Sequence, residues 1–301
     1  MMKKIIFWSI GIVCVLIIII LVAPFFKTTF CSKTGTIYRS AKAFEKAGKL
    51  DEAIKEYEEL VAEHPQSKKA AQSYILLASL YERQGKLVEA REAYKKAIQE
   101  YPNLDIASTS KAKIEDLSIR ILFSPAIDSM SKIYEVQQGD TLGKIAKVFG
   151  ETVELLKVSN DLDGDLIRQG MHLKVVTAKF SVVVDKSQNV LFLKQDEEIL
   201  KIYRVSTGEN NSTPAGTFKI VNKLVNPVWY SAGAVVPPGS PENILGSRWL
   251  GISKPGYGIH GTTDPSSIGK QVTAGCVRML NLDAEELYTI LPEGTEVTIV
   301  D

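Results

Sequence analysis

The sequence of 301 residues contains only three cysteines and three histidines. So few cysteines exclude a disulfide framework, because disulfide-stapled domains carry many cysteines in a short chain. The 36 basic and 35 acidic residues nearly cancel, which gives no reason to expect a nucleic-acid partner. We expect no metal and no cofactor either. The chemistry of the chain is therefore expected to lie in its few thiol and imidazole groups.

After Lys179 the chain has one histidine and one cysteine, His260 and Cys276. A thiol at neutral pH needs a neighbouring base or a positive field to become the nucleophilic thiolate, and an imidazole can supply both. Gly275 lets the backbone turn sharply beside the cysteine, so that N–H groups there could face a developing oxyanion. A lone cysteine is also commonly a small buried hydrophobe. The spacing alone leaves the catalytic and the structural interpretations open.

The residues around this pair resemble the signature of the L,D-transpeptidase catalytic domain of the YkuD type. The signature segments are His260-Gly261, Ser267-Ile268-Gly269 and Gly275-Cys276-Val277-Arg278-Met279, and further similar segments are Thr213–Phe218, Asn226–Tyr230 and Pro241–Gly246. The resemblance covers about the last 120 residues. It implies an enzyme that acts on the peptide stems of bacterial peptidoglycan through a thioester on Cys276. Short β-favouring runs from Phe180 onward agree with a β-rich domain.

The same resemblance implies a role for each signature residue. His260 would act first as the base and then as the acid, and the carbonyl of Gly261 would orient its other ring nitrogen. The backbone N–H groups of Gly275 and Cys276 would form the oxyanion hole. The product would be a 3→3 cross-link between two stems.

Four further residues are predicted to contact the substrate. They are Arg278, Ser267, Tyr257 and Trp229. Arg278 could hold the loop or a substrate carboxylate by bidentate pairing, and a solvated surface arginine is the alternative. The sequence departs from the family at Ala274, where many members carry a second histidine. A carboxypeptidase with water as acceptor, or a catalytically silent scaffold that binds the wall, would use the same domains.

Residues 5–26 form an uncharged run of 22 residues dominated by Ile, Val and Leu. As one helix, such a run spans about 30 Å, the thickness of the hydrocarbon core of a bilayer. We expect a single-pass anchor that follows a cytoplasmic tail, residues 1–4. Basic residues flank the run on both sides, so the orientation is assigned from the wall substrate. A cleaved signal peptide is the alternative, disfavoured because the run is too long.

Residues 35–123 carry an internal repeat with an offset of 37 positions. The matched residues are Gly48, Leu50, Ala53, Tyr57 and Pro65 with Gly85, Leu87, Ala90, Tyr94 and Pro102. This pattern resembles tetratricopeptide repeats, and a helix over 104–123 is expected to close them. Such repeats serve either as a docking surface, for a protein partner or a second copy, or as a rigid spacer. The sequence leaves both open.

Residues 132–177 resemble the LysM domain. The similarity begins with Tyr134-Glu135-Val136-Gln137-Gln138-Gly139-Asp140-Thr141-Leu142, and it predicts a strand, two short helices and a return strand. Asp140 or Thr141 could cap the first helix. The resemblance implies a shallow groove for glycans that contain N-acetylglucosamine, lined by Gly139, Asp140, Thr141, Leu142, Asn160 and Leu162. A structural module without affinity is the alternative.

Together these segments predict a multidomain protein of the bacterial cell membrane. A transmembrane helix would lead into all-α repeats, then a βααβ LysM domain, then a β-rich catalytic domain over 179–301 that faces the cell wall. The expected partners are peptidoglycan strands and stems, the membrane, and a protein bound by the repeats.

Overall fold

The computed structural model describes residues 33–102, 107–231 and 233–301. These residues divide into two compact units, with the boundary between Lys113 and Ile114. The predicted tail and membrane anchor, residues 1–26, lie outside the described residues. Within the described ranges, no helix combines the length and the apolar character needed to cross a membrane.

The first unit is helical. It contains α1 (33–46), α2 (Leu50–Glu63), α3 (Lys68–Arg83), α4 (Leu87–Glu100) and the first part of α5 (Ala107–Leu122). Ser67 caps α3, because its side chain accepts a hydrogen bond from the N–H of Ala70 at 3.1 Å. Pro65 lies in the turn between α2 and α3, and Pro102 comes directly after the end of α4, as the sequence predicts.

The 37-residue offset is visible in the contacts of the first unit. The hydroxyl of Tyr57 donates to Glu45 at 3.3 Å, and the hydroxyl of Tyr94 donates to Glu82 at 3.0 Å, 37 positions later in both partners. The turns before α2 and α4 repeat as well, since Gly48 and Gly85 have φ of 75° and 71°. Positive φ favours glycine, which has no Cβ. The predicted tetratricopeptide-like repeat is therefore confirmed.

The second unit begins with the predicted βααβ arrangement. Its elements are β1 (Ser131–Glu135), α6 (Leu142–Phe149), α7 (Val153–Val158) and β2 (His172–Val176), with β1 and β2 antiparallel. Thr141, not Asp140, caps α6, since its hydroxyl oxygen accepts from the N–H of Lys144 at 3.2 Å. Gly150 ends α6 in the left-handed conformation. The expected LysM fold is present.

The catalytic domain is built around one mixed sheet. Its strands are β3 (Phe180–Asp185), β4 (Val190–Gln195), β5 (Glu198–Arg204), β6 (Thr207–Gly208), β7 (Gly216–Val225), β8 (Trp229–Ser231), β9 (Ala234–Val236), β10 (Arg248–Ile252), β11 (Gly258–His260), β12 (Gln271–Thr273), β13 (Val277–Arg278) and β14 (Glu296–Val300). Eight of them form a sheet in the order β13-β11-β10-β7-β14-β3-β4-β5. Helix α8 (Asn281–Ile290) packs against this sheet.

Alternating side chains build the core of this domain. Every second residue of β3 is buried, including Val182 and Val184, because successive strand residues point to opposite faces. Buried residues of α8, among them Leu287, join the same apolar cluster. The predicted β-rich catalytic fold is confirmed.

The helix expected over residues 104–123 is present as α5, and its second half, from Ile114 onward, belongs to the second unit. Ile119 and Leu122 are buried in the same apolar cluster as Val182 and Leu193 of the catalytic sheet. The sequence pattern shows that this helix has an apolar face but not which partner covers it.

Hydrogen bonds of two charged side chains, Glu115 and Lys174, hold the same helix in place. The carboxylate of Glu115 accepts from the backbone N–H of Ile202 at 3.4 Å, on the edge strand β5. The buried ammonium of Lys174, on β2, donates to the carbonyls of Ile121 and Ser124 at 2.5 and 2.8 Å. A cation at the C-terminal end of a helix also opposes the negative end of the helix dipole.

Leu122→Ala should destabilise the catalytic unit although residue 122 precedes it in the chain. Removing a buried leucine side chain leaves a cavity, and the expected loss is about 2 to 5 kcal/mol in the free energy of unfolding. Chemical denaturation followed by tryptophan fluorescence measures it, because all tryptophans in the described residues lie in the catalytic domain. Asp116→Ala is the matched control on the exposed face, with an expected change below about 0.5 kcal/mol. Equal, small effects of both changes would contradict the conclusion that Leu122 belongs to the core of the catalytic domain.

Candidate active site

Strand pairing brings the predicted catalytic residues together. β11 and β13 are parallel neighbours, with Ile259 opposite Val277 and His260 opposite Arg278. Cys276 directly precedes β13. His260, Cys276 and Arg278 consequently line one cavity of about 480 Å³. The rest of its wall is mainly apolar and includes Leu224, Pro227, Trp229, Tyr230, Ile244 and Trp249.

The imidazole of His260 is buried and fixed by a backbone carbonyl. Its Nδ1 lies 2.7 Å from the carbonyl oxygen of Gly261. Because a carbonyl oxygen only accepts, Nδ1 carries the proton and Nε2 keeps the lone pair that a base needs. Burial lowers the pKa of His260 to about 4, and the nearby charge of Arg278 acts in the same direction. The carbonyls of Gly261 and Leu245 oppose this shift.

The thiol of Cys276 is partly buried and protonated at neutral pH. Burial raises its pKa above the ordinary value, against smaller opposing effects of the Gly258 backbone and of Arg278. The sulfur lies 3.8 Å from the carbonyl oxygen of Gly256, to which the thiol donates. The resting pair is therefore a neutral thiol beside a neutral imidazole. Such a pair transfers its proton during attack on the substrate.

The backbone before Cys276 leaves room for glycine alone. Gly275 has φ of 131°, and a Cβ there would lie 2.6 Å from a ring carbon of Tyr257. The N–H of Gly275 donates to the hydroxyl oxygen of Thr273 at 3.2 Å, and that hydroxyl donates to the carbonyl of Cys276 at 2.7 Å. The predicted oxyanion donor at Gly275 thus has another partner, so the N–H of Cys276 is the stronger candidate. Tyr257, predicted to bind substrate, packs against this turn.

The guanidinium of Arg278 is held by a hydrogen bond to Ser267. Its Nη1 donates to the hydroxyl of Ser267 at 3.1 Å, and that hydroxyl donates to the carbonyl of Asp264 at 2.6 Å. Ser267 is buried, so it positions the arginine and does not itself line the cavity. The Nε of Arg278 is buried and has no hydrogen-bond partner among the described residues. A buried donor without a partner favours an anionic ligand.

Two asparagines that were not predicted as site residues hold the surrounding loops. The side-chain oxygen of Asn281 accepts from the N–H groups of Ser247 at 3.1 Å and Thr262 at 2.9 Å. Asn281 therefore fixes the segment that enters β10 and the segment that leaves β11. Nothing in the spacing of the sequence indicates these two contacts.

Asn243 holds the β8–β9 hairpin in place by side-chain hydrogen bonds. This hairpin carries Trp229, which lines one wall of the cavity. The buried side chain of Asn243 donates to the carbonyl of Pro227 at 2.9 Å and accepts from the N–H of Leu245 at 3.0 Å. It lies in one of the segments that carry the family resemblance, which is the signal that could have identified it.

Most of the predicted glycan-groove side chains make internal contacts. The carboxylate of Asp140 accepts from Tyr134 and from the N–H of Gln137, both at 2.8 Å. The side chain of Asn160 bonds to the backbone of Lys174 with both its oxygen and its nitrogen.

Leu142 is buried and Leu162 is half-buried, and both pack in the apolar cluster of the LysM fold. The side chain of Leu142 therefore packs in the core, and a glycan contact at this position stays a prediction that only its backbone could fulfil. Gly139 is exposed. The backbone groups around Gly139 and Thr141 are therefore the candidate contacts for a glycan in the predicted groove.

Family profiles match three segments of the chain. A profile of the L,D-transpeptidase catalytic domain matches residues 179–299, one of the LysM domain matches residues 134–176, and one of the tetratricopeptide repeat matches residues 38–105. The domain that contains His260 and Cys276 is thus of the acyltransferase class that these transpeptidases form.

Similar proteins extend this assignment. The Bacillus subtilis protein named "Putative L,D-transpeptidase YkuD" is 37% identical over 174 residues, which cover 55% of this chain and 97% of the relative. YqjB of the same organism, with the same activity in its name, is 39% identical over 126 residues, 40% of this chain and 70% of the relative. The chain belongs to the L,D-transpeptidase family.

Among solved structures, an L,D-transpeptidase from Mycobacterium smegmatis matches at 22% identity with a TM-score of 0.35, covering 44% of this chain and 64% of that one. An L,D-transpeptidase from Mycobacterium tuberculosis H37Rv matches at 16% identity with a TM-score of 0.35, covering 45% of this chain and 75% of that one.

The lowered pKa of His260 predicts an acid-tolerant reaction. A neutral imidazole can accept the thiol proton, and with a pKa of about 4 it stays neutral down to mildly acidic pH. The rate of Cys276 acylation by a carbapenem should therefore hold from pH 8 to about 5 and halve only near pH 4, the pKa of the buried imidazole. Stopped-flow absorbance of the β-lactam measures this rate, with circular dichroism as a check of folding at each pH. A loss centred near the ordinary imidazole value of about 6.5 would contradict the buried base.

Thr273→Val should slow acylation although residue 273 precedes the nucleophile by three positions. The change removes the hydroxyl that joins the N–H of Gly275 to the carbonyl of Cys276, so the turn that aims the thiol loosens. We expect a loss of at least about tenfold in the acylation rate. Thr273→Ser keeps the hydroxyl and is the matched control. If the valine and serine variants react equally fast, the hydroxyl bridge has no role in the turn.

Proposed function

We propose that this protein is an L,D-transpeptidase that forms 3→3 cross-links in peptidoglycan through a thioester on Cys276. The observation that carries the proposal is the shared cavity. A thiol, an imidazole with a free Nε2 lone pair and a cationic side chain line one mostly apolar pocket. These are the groups that cysteine-dependent acyl transfer to an amine requires.

The first half of the reaction would acylate the enzyme. The sulfur of Cys276 attacks the carbonyl of the third stem residue while His260 takes the thiol proton. The N–H of Cys276 faces the developing oxyanion. When the tetrahedral intermediate collapses, the bond to the terminal D-alanine breaks, and His260 gives its proton to the departing amine. The thioester and free D-alanine result.

The second half would transfer the acyl group to another stem. His260 takes a proton from the side-chain amine of the acceptor's third residue, and this amine attacks the thioester. The sulfur leaves and regains its proton from the imidazole, which yields an amide between two third residues. The mainly apolar wall of the cavity supports an amine acceptor over water, because it disfavours ordered water near the thioester.

Arg278 is proposed to bind the carboxylate of the donor stem. Its buried Nε has no partner among the described residues, and a guanidinium pairs well with a carboxylate. Trp229, on the β8–β9 hairpin, would pack on the stem peptide, since it lines the same cavity. Ser267 and Tyr257 would act by holding Arg278 and Gly275 in place.

The remaining domains are proposed to bring the active site to its substrate. The LysM domain would bind glycan strands, and the repeats would either dock a protein partner or act as a spacer. Residues 5–26 would anchor the protein in the bacterial cell membrane with the catalytic domain facing the wall. This placement is required by the proposed substrate, because peptidoglycan lies outside the membrane.

Product analysis tests the proposal. Purified protein is incubated with disaccharide-tetrapeptide, and the products are separated and sequenced by mass spectrometry. We expect a dimer with a 3→3 bond together with free D-alanine. Cys276→Ala should form neither, and His260→Ala should be slower by about 10²- to 10⁴-fold, the usual loss when a general base is removed.

The same experiment separates the alternatives. Disaccharide-tripeptide with D-alanine but without dimer would indicate an L,D-carboxypeptidase that uses water as the acceptor. Unchanged tetrapeptide with wild-type protein would support a silent scaffold that binds the wall. Equal turnover by Cys276→Ala would exclude the thioester mechanism.

A further inference from the structure

The catalytic imidazole has an aromatic neighbour that neither the signature nor the mechanism uses. Trp249, on β10, is the direct cross-strand partner of His260 on β11. Their rings stack, with centroids 5.9 Å apart and planes inclined by 20°. Side chains directly opposite in an antiparallel pair commonly contact each other, and here the pair lies inside the active-site cavity.

Two glycines make the space that the indole occupies. A Cβ at Gly258 would lie 2.7 Å from two carbons of the Trp249 ring. A Cβ at Gly251 would lie 2.8 Å from its Nε1. Both glycines are in strands, where glycine weakens the sheet and often marks a close approach. Because a larger residue at either position would collide with the ring, the two glycines help to determine where the indole lies.

A hydrogen bond fixes the rotation of the same ring. Nε1 of Trp249 donates to the side-chain oxygen of Asn222 on β7 at 3.0 Å. Asn222 is exposed and is the strand partner of Gly251. A chain of contacts thus runs from Asn222 through Trp249 to the catalytic ring. Together with the bond from Nδ1 to Gly261, it restrains both the edge and the face of the imidazole.

We propose that Trp249 is a positioning residue for the reaction, which holds the plane of the His260 imidazole and keeps water from its face. The proposal rests on the function proposed above, in which His260 is the base. A base whose ring is held in place loses less entropy on reaching the geometry of proton transfer. The residue acts through His260 and makes no bond to the reacting atoms.

Trp249 is an uncharged neighbour of His260, so it can be substituted without removing a charge near the imidazole. Arg278 on β13 and the thiol of Cys276 share the cavity. The neighbouring Arg248 on β10 points to the opposite face, where it lies over the ring of Tyr288 and 3.9 Å from Glu285 of α8. Changing Trp249 therefore alters the shielding of the imidazole without removing a charge beside it.

The titration of His260 tests the proposal without relying on turnover. The full-length protein is labelled with ¹³C-histidine and followed by NMR as the pH is changed. Only three histidines are present, and a His260→Ala sample assigns the signal. In Trp249→Leu, the pKa of His260 should rise towards the ordinary value of about 6.5, because water reaches the ring. Trp249→Phe should restore part of the shift, and Asn222→Ala should give a smaller change in the same direction.

Acylation by a carbapenem provides the second reading. Trp249→Leu should lower the maximal rate by about tenfold, with partial recovery in Trp249→Phe. Trp229→Leu is the matched control, since it removes a tryptophan from the same cavity that has no stacking contact with His260. It should alter substrate dependence but not the titration of the histidine.

The outcomes separate this inference from the proposed function. If Trp249→Leu lowers thermal stability but leaves both the titration and the acylation rate of the folded protein unchanged, the indole is only structural and the inference is wrong. If the titration shifts as expected but wild-type protein is never acylated at Cys276, the inference about shielding stands. The transpeptidase proposal then fails alone.

Discussion

The active site depends on the parallel pairing of two very short strands, β11 and β13. This pairing sets His260 opposite Arg278 and leaves Cys276 at the entrance to β13. The three side chains are separated by up to 18 positions in the chain. A slip of one residue would turn these side chains to the other face of the sheet. The glycines and asparagines around the strands therefore serve to hold this register.

Burial decides how the site works chemically. It lowers the pKa of His260 and raises the pKa of Cys276, so both groups are neutral before substrate arrives. A neutral thiol is a weak nucleophile and is poorly reactive towards incidental electrophiles. In the proposed reaction, attack then requires a substrate that positions its carbonyl against the thiol as the imidazole takes the proton. The apolar wall of the cavity would provide selectivity as well as shielding in that reaction.

The sequence was sufficient for the repeat, the LysM fold and the catalytic fold, because each carries a dense local pattern. The 37-residue offset places Tyr57 and Tyr94 in equivalent hydrogen bonds, and Thr141 caps α6 as its position suggests. The packing partner of helix α5 was not predictable, since an apolar helix face does not indicate which element packs against it. The contacts of Asn281 and Trp249 were not predictable either, because they depend on strand pairing between distant segments. The burial of the Leu142 side chain in the LysM core was not predictable for a similar reason.

The central claim is that Cys276 carries the acyl group during the reaction. The most direct measurement is to mix the protein with a tetrapeptide donor whose third-residue side-chain amine is acetylated, so that no acceptor amine is present, stop the reaction in acid within seconds and digest the protein. Mass spectrometry should then find the tripeptide acyl group on the peptide that contains Cys276, in an amount equal to the D-alanine released. Release of D-alanine with the acyl group on another residue, or without any protein-bound acyl group, would contradict the account.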